Sequence, residues 1–178
     1  MKIIPLDRKE YDYYVLHYRF QSDSHYVVTA EQTKDVMSVK YVRQDYAQPR
    51  TFENDDTLFQ DYWDDPEAFA MQDDDGSLVA FIEFSGEEWN SRLRLTQLLV
   101  NEDRRGQGIG KKLIDFAKQT AKERDYRMIV LETQSNNTRA IDFYMSQGFV
   151  FCGSNIYFYS DCDIEDDEVM LELGYLLD

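Results

Sequence analysis

Apolar and polar residues alternate through much of residues 1–50, and tyrosine and valine occupy many of the apolar positions. Alternation with a period of two is typical of β-strands that bury one face. We therefore expect strands in this part of the chain. The alternation is carried by Tyr13, Val15, His17, Tyr26, Val28, Val36, Val39 and Tyr41.

The next fifty residues predict a short helix followed by strands. We expect the helix over residues 54–63, and it should end near Asp65 because a residue that precedes proline avoids the helical region. The Asp74-Asp75-Gly76 segment has the composition of a hairpin turn. The strands are expected over residues 68–72, 78–85 and 92–100.

After residue 100 the spacing of apolar residues changes to three and four, which predicts a helix that ends near Arg124. Its buried stripe consists of Ile109, Leu113, Phe116, Ala117, Thr120 and Ala121. A continuous apolar run at residues 128–131 is typical of a strand covered on both faces. A second helix is expected over residues 138–147, ended by Gly148. Further strands are expected over residues 149–153, 156–159 and 168–176.

The alternation of strands and helices over residues 92–153 indicates an α/β unit with at least one parallel pair of strands. A length of 178 residues fits one domain. The last strand should offer a sheet edge through which two copies could pair as a homodimer.

The formal net charge is −16, and the charges are unevenly distributed. Residues 51–91 and 161–178 contain many acidic residues and neither lysine nor arginine, whereas residues 92–127 are rich in basic residues. A nucleic-acid partner is disfavoured because binding phosphate backbones requires a basic face. An acidic surface attracts cations, which favours a polycationic small molecule or a basic peptide; a merely solubilising surface is the alternative.

Other compositional features favour a cytoplasmic protein without a membrane segment. No apolar stretch approaches the ~18 residues of a membrane helix, and the first residues do not resemble a signal peptide. Cys152 and Cys162 lack metal or redox spacing, and we expect Cys152 to be a small core residue. His17 and His25 are expected to be structural.

The most informative stretch runs from Leu98 to Lys111, where an apolar strand leads through three alternate glycines into a helix. Glycine permits a left-handed backbone and places no Cβ between the amides and a ligand. The first turn of a helix has N–H groups without partners, and together these features suit a phosphate. A turn that binds nothing is the alternative. The spacing matches neither a P-loop nor a dinucleotide fingerprint. Arg104, Arg105 and Lys111 should add mobile positive charge.

Read as Arg105, Gly108 and Gly110, the loop fits the pattern R-x-x-G-x-G and resembles the pyrophosphate loop of the GNAT family of N-acetyltransferases. Asn137, Ala140, Phe143, Tyr144, Gly148 and Phe149 resemble a second signature of that family. Similarity to the streptothricin acetyltransferases is visible at Trp89-Asn90, residues 131–134, residues 148–150 and around Glu168. That subgroup usually has acids where this chain has Thr96 and Gln97, which leaves the acceptor open.

The resemblance implies a GNAT fold, with a mixed, mostly antiparallel central sheet, a splayed parallel pair of strands at the cofactor site and helices on both faces. It implies a variable acceptor-side part at residues 1–67, an acetyl-CoA-binding core at 68–160, and an acidic loop with a C-terminal strand at 161–178. Acetyl-CoA is the implied co-substrate, and no metal is expected. The implied cofactor-binding residues are Leu98, Leu99, Val100, Arg105, Gly106, Gln107, Gly108, Ile109, Gly110, Lys111, Asn137, Ala140 and Tyr144.

The resemblance also implies roles in the reaction. The N–H group of Leu99 or Val100 would polarise the thioester carbonyl. Tyr144 would act as general acid for the leaving thiolate; an aromatic ring that only packs in the core is the alternative. A lysine-like amine is neutral in only about 1 of 2500 molecules at pH 7, so a water-linked base is required. Glu83 is the first candidate for this base, followed by Glu132 and Glu87.

Three functions are therefore compared: N-acetylation of a cationic small molecule such as a streptothricin-like antibiotic, N-acetylation of a protein or peptide, and a CoA-binding sensor without catalysis. The Asp161-x-Asp163-x-Glu165 stretch resembles the start of a calcium loop. The glycine required at the sixth position is Asp166, and we expect a solvated acidic loop instead.

Overall fold

The structure is a computed structural model, and it describes residues 1–177. Its contacts group the chain into two compact units that are interleaved along the sequence. The first unit comprises Met1–Arg19, Glu53–Leu131 and the residues from Gly174 onward, and the second comprises Phe20–Phe52 and Glu132–Leu173. These boundaries do not follow the three segments expected from the sequence, and the single-domain organisation stays a prediction.

The first unit contains most of the sheet. Its complete elements are β1 (Lys2–Pro5), α1 (Arg8–Tyr11), β4 (Glu67–Gln72), β5 (Leu78–Glu87), β6 (Arg92–Val100) and α2 (Ile109–Glu123). It also holds the start of β2 (Val15–Gln32), the end of β3 (Met37–Thr57) and the start of β7 (Met128–Gln134). The strands β1, β4, β5 and β6 are successive antiparallel neighbours, and β6 pairs with β7 in parallel. The expected mixed, mostly antiparallel sheet with a parallel pair is confirmed.

Helix α2 buries one stripe against the core of the first unit. Ile109, Leu113 and Ala117 are completely or almost completely buried, as the spacing of apolar residues predicts. Phe116 lies at the edge of this stripe and makes an edge-to-face contact with Phe69 at a centroid distance of 4.9 Å. The stripe fixes the rotation of α2, and thereby the direction of the loop that enters it.

The second unit contains the remaining parts of β2 and β3, which form a two-stranded hairpin. It also contains the end of β7, α3 (Thr138–Ser146), β8 (Val150–Asn155) and most of β9 (Met170–Leu176). In the sheet order β9 lies between β7 and β8. The expectation of a free edge at the C-terminal strand is therefore wrong, because β8 takes the edge position.

Most of the expected strands and helices are confirmed within three residues, but two segments differ. The helix expected over 54–63 is wrong: β3 continues to Thr57, and the chain then turns to bury Leu58 and Phe59. The strand expected over 156–159 is also wrong. There the Asp163 carboxylate accepts hydrogen bonds from the backbone N–H groups of Phe158 and Tyr159, which fold this segment into turns.

Candidate functional site

The glycine loop begins where β6 ends. Asn101 N–H donates to Val79 O at 3.0 Å, and a 3₁₀ turn over Glu102–Arg104 follows. Gly106 and Gly108 both take left-handed backbone angles, with φ of +75° and +77°. A Cβ built on either glycine would meet no atom of the described chain within 4 Å. The loop therefore presents bare backbone to open space at two positions.

Gly108 is the N-cap of α2, and no side chain in residues 1–177 caps this helix end. The first three N–H groups of a helix have no acceptor within the helix, and the positive end of its macrodipole lies at the same place. Gly110 adds a further position without a Cβ in this first turn. The geometry suits an anion such as a diphosphate, which several backbone N–H groups could bind together.

The basic residues around the loop all contact neighbouring groups, and their role as mobile positive charge stays a prediction. Arg104 forms an ion pair with Asp73 at 2.9 Å, and Lys111 pairs with Asp115 at 2.8 Å on the surface of α2. Arg105 donates its Nε to Val100 O at 3.0 Å and its Nη1 to Arg19 O at 2.8 Å. Arg105 thus links the end of β6 to the first part of β2, so this residue of the motif has a structural role.

Strand β6 contains an irregularity just before the segment assigned to the thioester. Glu83 on β5 pairs with Gln97, but the next residue, Phe84, pairs with Leu95, which leaves Thr96 as a bulged residue. On the other side of β6, the parallel register with β7 runs from Arg92 to Leu95. Leu98, Leu99 and Val100 follow the bulge along β6. The expected opening of the strand pair and the roles of these three residues stay predictions.

Glu83 is completely buried. Its Oε2 accepts a hydrogen bond from the backbone N–H of Phe59 at 2.6 Å, and its Oε1 accepts one from Thr96 Oγ1 at 2.7 Å. Burial raises the pKa of the Glu83 carboxyl, while the two hydrogen bonds act in the opposite direction. A raised pKa makes the carboxylate a stronger base, and its role as the proton acceptor stays a prediction.

A second carboxylate, which the sequence reasoning missed, lies in the same unit. Gln97 Nε2 donates to Asp56 Oδ2 at 2.7 Å, and Tyr18 Oη donates to Gln97 Oε1 at 2.6 Å. Asp56 Oδ1 also accepts from the backbone N–H of Thr57 at 2.7 Å. The negative charge of Asp56 is a further influence that raises the pKa of Glu83. Asp56 stands in the acidic run of the sequence, but no spacing there distinguished it from its neighbours.

The second signature falls in the second unit, and its spacing has a local structural reason. Asn137 is the N-cap of α3, and its side chain accepts a hydrogen bond from the backbone N–H of Ala140 at 3.2 Å. This is the geometry of an N-cap residue bonded to the third helical residue. Gly148 has a φ of +89° and ends the helix, as expected. The cofactor role of Asn137 and Ala140 stays a prediction.

Tyr144 lies on the buried face of α3, and its ring contacts those of Phe143 and Phe149. Burial raises the pKa of the Tyr144 phenol well above its ordinary value of 10.0. The phenol is therefore protonated at neutral pH and available as a hydrogen-bond donor. This protonation state suits the proposed general acid, whose role stays a prediction.

The two lower-ranked candidate bases are held by neighbours. The Glu87 carboxylate pairs with the guanidinium groups of Arg92 and Arg94. In the second unit, Glu132 Oε1 accepts a hydrogen bond from Tyr159 Oη at 2.5 Å. Both carboxylates are thus engaged by side chains close to them in the structure. Glu83 therefore stays the first candidate.

Other expectations about single residues are also settled. Cys152 is exposed, so its assignment to the core is wrong: it lies on the edge strand β8, whose first three residues are all exposed. Asp163 is almost completely buried instead of solvated, and it accepts hydrogen bonds from three backbone N–H groups and a hydroxyl. The Asp163 carboxylate is occupied by these donors, which agrees with the rejection of a calcium loop. His25 stacks on Tyr46 at a centroid distance of 4.3 Å.

Residues 1–177 contain neither a membrane-spanning helix nor a candidate metal-binding cluster. In this part of the chain no helix has the length and apolar character needed to cross a bilayer. Over the same residues, no group of three or more His, Cys, Asp and Glu side chains is arranged to hold a metal ion.

Known proteins resemble both the sequence and the structure. The family model described as acetyltransferase (GNAT) family matches residues 37–149. Streptothricin acetyltransferase of Streptomyces lavendulae is 33% identical over 106 residues, which span 60% of this chain and 56% of that protein. The match thus spans little more than half the length of this curated relative.

Two solved structures match over almost the whole chain. Nourseothricin acetyltransferase has a TM-score of 0.77 and 26% identity, and the match covers 99% of this chain and 98% of that chain. A protein assigned as a streptothricin acetyltransferase in Bacillus anthracis str. Ames, solved in complex with acetyl coenzyme A, has a TM-score of 0.72 and 25% identity over 99% and 97% of the two chains. With its family model, its fold and its streptothricin acetyltransferase-like relatives in agreement, the chain belongs to the acetyltransferase (GNAT) family.

Proposed function

We propose that this chain is an acetyl-CoA-dependent N-acetyltransferase that acylates a primary amine of a cationic small molecule, with streptothricin-like antibiotics as the first acceptor class. The observation that carries the proposal is the uncapped N-terminus of α2 behind two left-handed glycines, at the end of a bulged strand. The neighbouring proteins named for streptothricin and nourseothricin support the acceptor class.

The residues of the loop fit the diphosphate of acetyl-CoA. Gly106 and Gly108 leave open space in front of the backbone, and the free N–H groups of Ile109, Gly110 and Lys111 supply donors for phosphate oxygens. The overall charge of −16 repels an anion, but this repulsion is screened over a Debye length of about 8 Å at physiological salt. Backbone donors at contact distance therefore dominate the binding of the diphosphate.

When bound, acetyl-CoA supplies a thioester whose acetyl group is transferred to the acceptor nitrogen. The backbone of Leu98–Val100 follows the Thr96 bulge and would hold the pantetheine arm, with a Leu99 or Val100 N–H directed at the carbonyl oxygen. Tyr144 would donate its phenolic proton, or a hydrogen bond, to the departing sulfur.

The acceptor must lose a proton as its nitrogen attacks. In our proposal Glu83 receives this proton through water, and its raised pKa improves it as a base. Asp56, half-buried and bonded to Gln97, would attract the acceptor ammonium group. A single acid that binds the ammonium group also favours its charged form and so opposes its deprotonation. Separate carboxylates for capture and for proton removal avoid this conflict.

The proposed function also fits a reducing compartment. Cys152 and Cys162 have no metal or redox spacing in the sequence, which supports the prediction of a cytoplasmic protein. We propose that cytoplasmic location as part of this function.

The test is release of CoA thiol from acetyl-CoA, with streptothricin, aminoglycosides, spermidine and basic peptides as acceptors. We expect turnover on streptothricin, with a lower KM at low salt than at high salt. Turnover on peptides alone would replace the acceptor class with a protein amine. Binding of CoA without turnover on any amine would overturn the enzymatic proposal in favour of a CoA-binding sensor.

A further inference from the structure

Glu83 connects two irregular points of the backbone in the first unit. One of its oxygens bonds to Thr96, which is the bulged residue of β6, and the other bonds to the N–H of Phe59. Phe59 has a φ of +58°, a left-handed conformation that is rare for a bulky aromatic residue. A single carboxylate therefore stabilises both a strained turn and a strand irregularity.

The bulge interrupts the pairing of β6 with β5. Phe84 pairs with Leu95 and Glu83 pairs with Gln97, which leaves Thr96 without an opposite residue on β5. On the β5 side the antiparallel register resumes at Gln97 and continues to Val100. The pairing of β6 with β5 thus shifts at Thr96, the residue whose hydroxyl bonds to Glu83.

Burial makes this arrangement energetically demanding. Glu83 is completely buried, and burial raises its pKa, so its charged form is disfavoured at this position. An apolar residue would fill the same space without this penalty. The two hydrogen bonds need an acceptor between Phe59 and Thr96, which gives a reason for a carboxylate here apart from proton transfer.

We propose that Glu83 is a positioning residue for the acetyl-CoA site. Its carboxylate stabilises the Thr96 bulge and the Phe59 turn, and thereby fixes the position of the Leu98–Val100 backbone. The proposal rests on the assignment of these strand residues to the pantetheine arm in the proposed function. It is separate from the role of Glu83 as a base, because hydrogen-bond acceptance and proton transfer respond differently to substitution.

Two variants of Glu83 separate the roles. In Glu83→Gln the amide oxygen can accept from Phe59 N–H while the amide nitrogen donates to Thr96 Oγ1, since a hydroxyl also accepts. Glu83→Leu removes both hydrogen bonds at similar volume. Isothermal titration with CoA should show an affinity within about twofold of wild type for Glu83→Gln and weakened by about tenfold for Glu83→Leu. Equal CoA affinity for wild type and Glu83→Leu would overturn the proposal, since a base alone has no influence on CoA binding.

Thr96 provides a second pair of variants, which carries the test if Glu83→Leu fails to fold. Thr96→Val removes the hydroxyl that bonds to Glu83, while Thr96→Ser retains it. We expect weaker CoA binding for Thr96→Val and wild-type binding for Thr96→Ser. Circular dichroism and thermal unfolding establish that each variant is folded. Unchanged CoA affinity in Thr96→Val would contradict the role of the bulge.

Amide hydrogen exchange in the ligand-free protein distinguishes this proposal from the function on which it rests. The Phe59 amide should exchange slowly in wild type and in Glu83→Gln, and much faster in Glu83→Leu. Slow Phe59 exchange in Glu83→Leu would refute the positioning role, whatever the ligand. If wild type shows the expected exchange but does not bind CoA, the proposed function has failed and the link between Glu83 and the cofactor fails with it, while the hydrogen bonds themselves stand.

Discussion

Gln97 Nε2 donates a hydrogen bond to Asp56 Oδ2 at 2.7 Å, so a neutral residue of β6 has a carboxylate beside it. The sequence drew attention to Thr96 and Gln97 because similar acetyltransferases usually have acids at these positions. In this chain Thr96 bonds to Glu83 and Gln97 bonds to Asp56. Acidic groups are thus present next to both positions, supplied by β5 and by the end of β3.

Asp56→Asn should weaken binding of the cationic acceptor and leave binding of acetyl-CoA unchanged. The substitution removes one negative charge, and its amide can still bond to Gln97 if both side-chain amides reorient. We expect the KM for the acceptor to rise by about tenfold, with an unchanged KM for acetyl-CoA. Asp65→Asn is the matched control, because it removes the same charge from an exposed position of the same acidic run. Equal effects of the two variants would mean that overall charge, and not Asp56, attracts the acceptor.

The sequence predicted those parts of the fold whose signals are local. The stripe from Ile109 to Ala121 predicted the buried face of α2, and the glycine spacing predicted the loop at its N-terminus. The Asn137 to Ala140 spacing is that of an N-cap, and α3 begins there. Each of these signals depends on residues that are neighbours along one turn or one helix face, so a single sequence contains them.

The sequence did not predict features that depend on distant residues. Asp56 and Gln97 are 41 positions apart, and their contact depends on how β3 ends beside β6. The acid-rich segment after residue 53 was expected to be helical, but burial of Leu58 and Phe59 stabilises a turn there instead. The turns before Asp163 similarly depend on one carboxylate that bonds to several backbone N–H groups.

Tyr144→Phe should reduce turnover far more than CoA affinity. Loss of a general acid typically lowers kcat by about 100-fold or more, whereas the ring that packs against Phe149 is retained. Steady-state kinetics and CoA titration measure the two effects. Tyr157→Phe, at an exposed tyrosine of the same unit, should behave as wild type. A parallel loss of kcat and CoA affinity in Tyr144→Phe would assign the phenol to binding.

The glycine loop can be tested with two alanine variants that share the same strain. Gly108 and Gly76 both have a left-handed backbone, and a Cβ at either position meets no protein atom. Each substitution should destabilise the fold by about 1 to 2 kcal/mol in thermal unfolding. We expect only Gly108→Ala to weaken CoA binding, because its Cβ would point into the space assigned to the diphosphate. Wild-type CoA affinity in Gly108→Ala would refute the loop assignment.

Asn137 combines a helix cap with a predicted cofactor contact, and two substitutions separate them. Asn137→Ala removes the acceptor for Ala140 N–H and should lower stability by about 1 kcal/mol. Asn137→Asp keeps a capping oxygen but adds a negative charge. It should therefore preserve the stability of the fold and weaken CoA binding. Asn155→Asp is the control, since Asn155 also bonds to a backbone N–H, that of Tyr157. If Asn137→Asp binds CoA as wild type does, the residue is a cap only.

The pH dependence of stability should differ between wild type and Glu83→Gln. Burial raises the pKa of Glu83 above its ordinary value of 4.5, so the folded protein retains this proton at pH values where the unfolded chain has lost it. The contribution of Glu83 to stability is therefore fully present below pH 4.5 and falls as the pH rises through the raised pKa. Glutamine does not titrate, so the stability of Glu83→Gln relative to wild type should increase over the same pH range. Urea unfolding from pH 4 to pH 8 measures this difference, with Glu53→Gln as the exposed control. A difference independent of pH would show that Glu83 has the same pKa in the folded and unfolded chain.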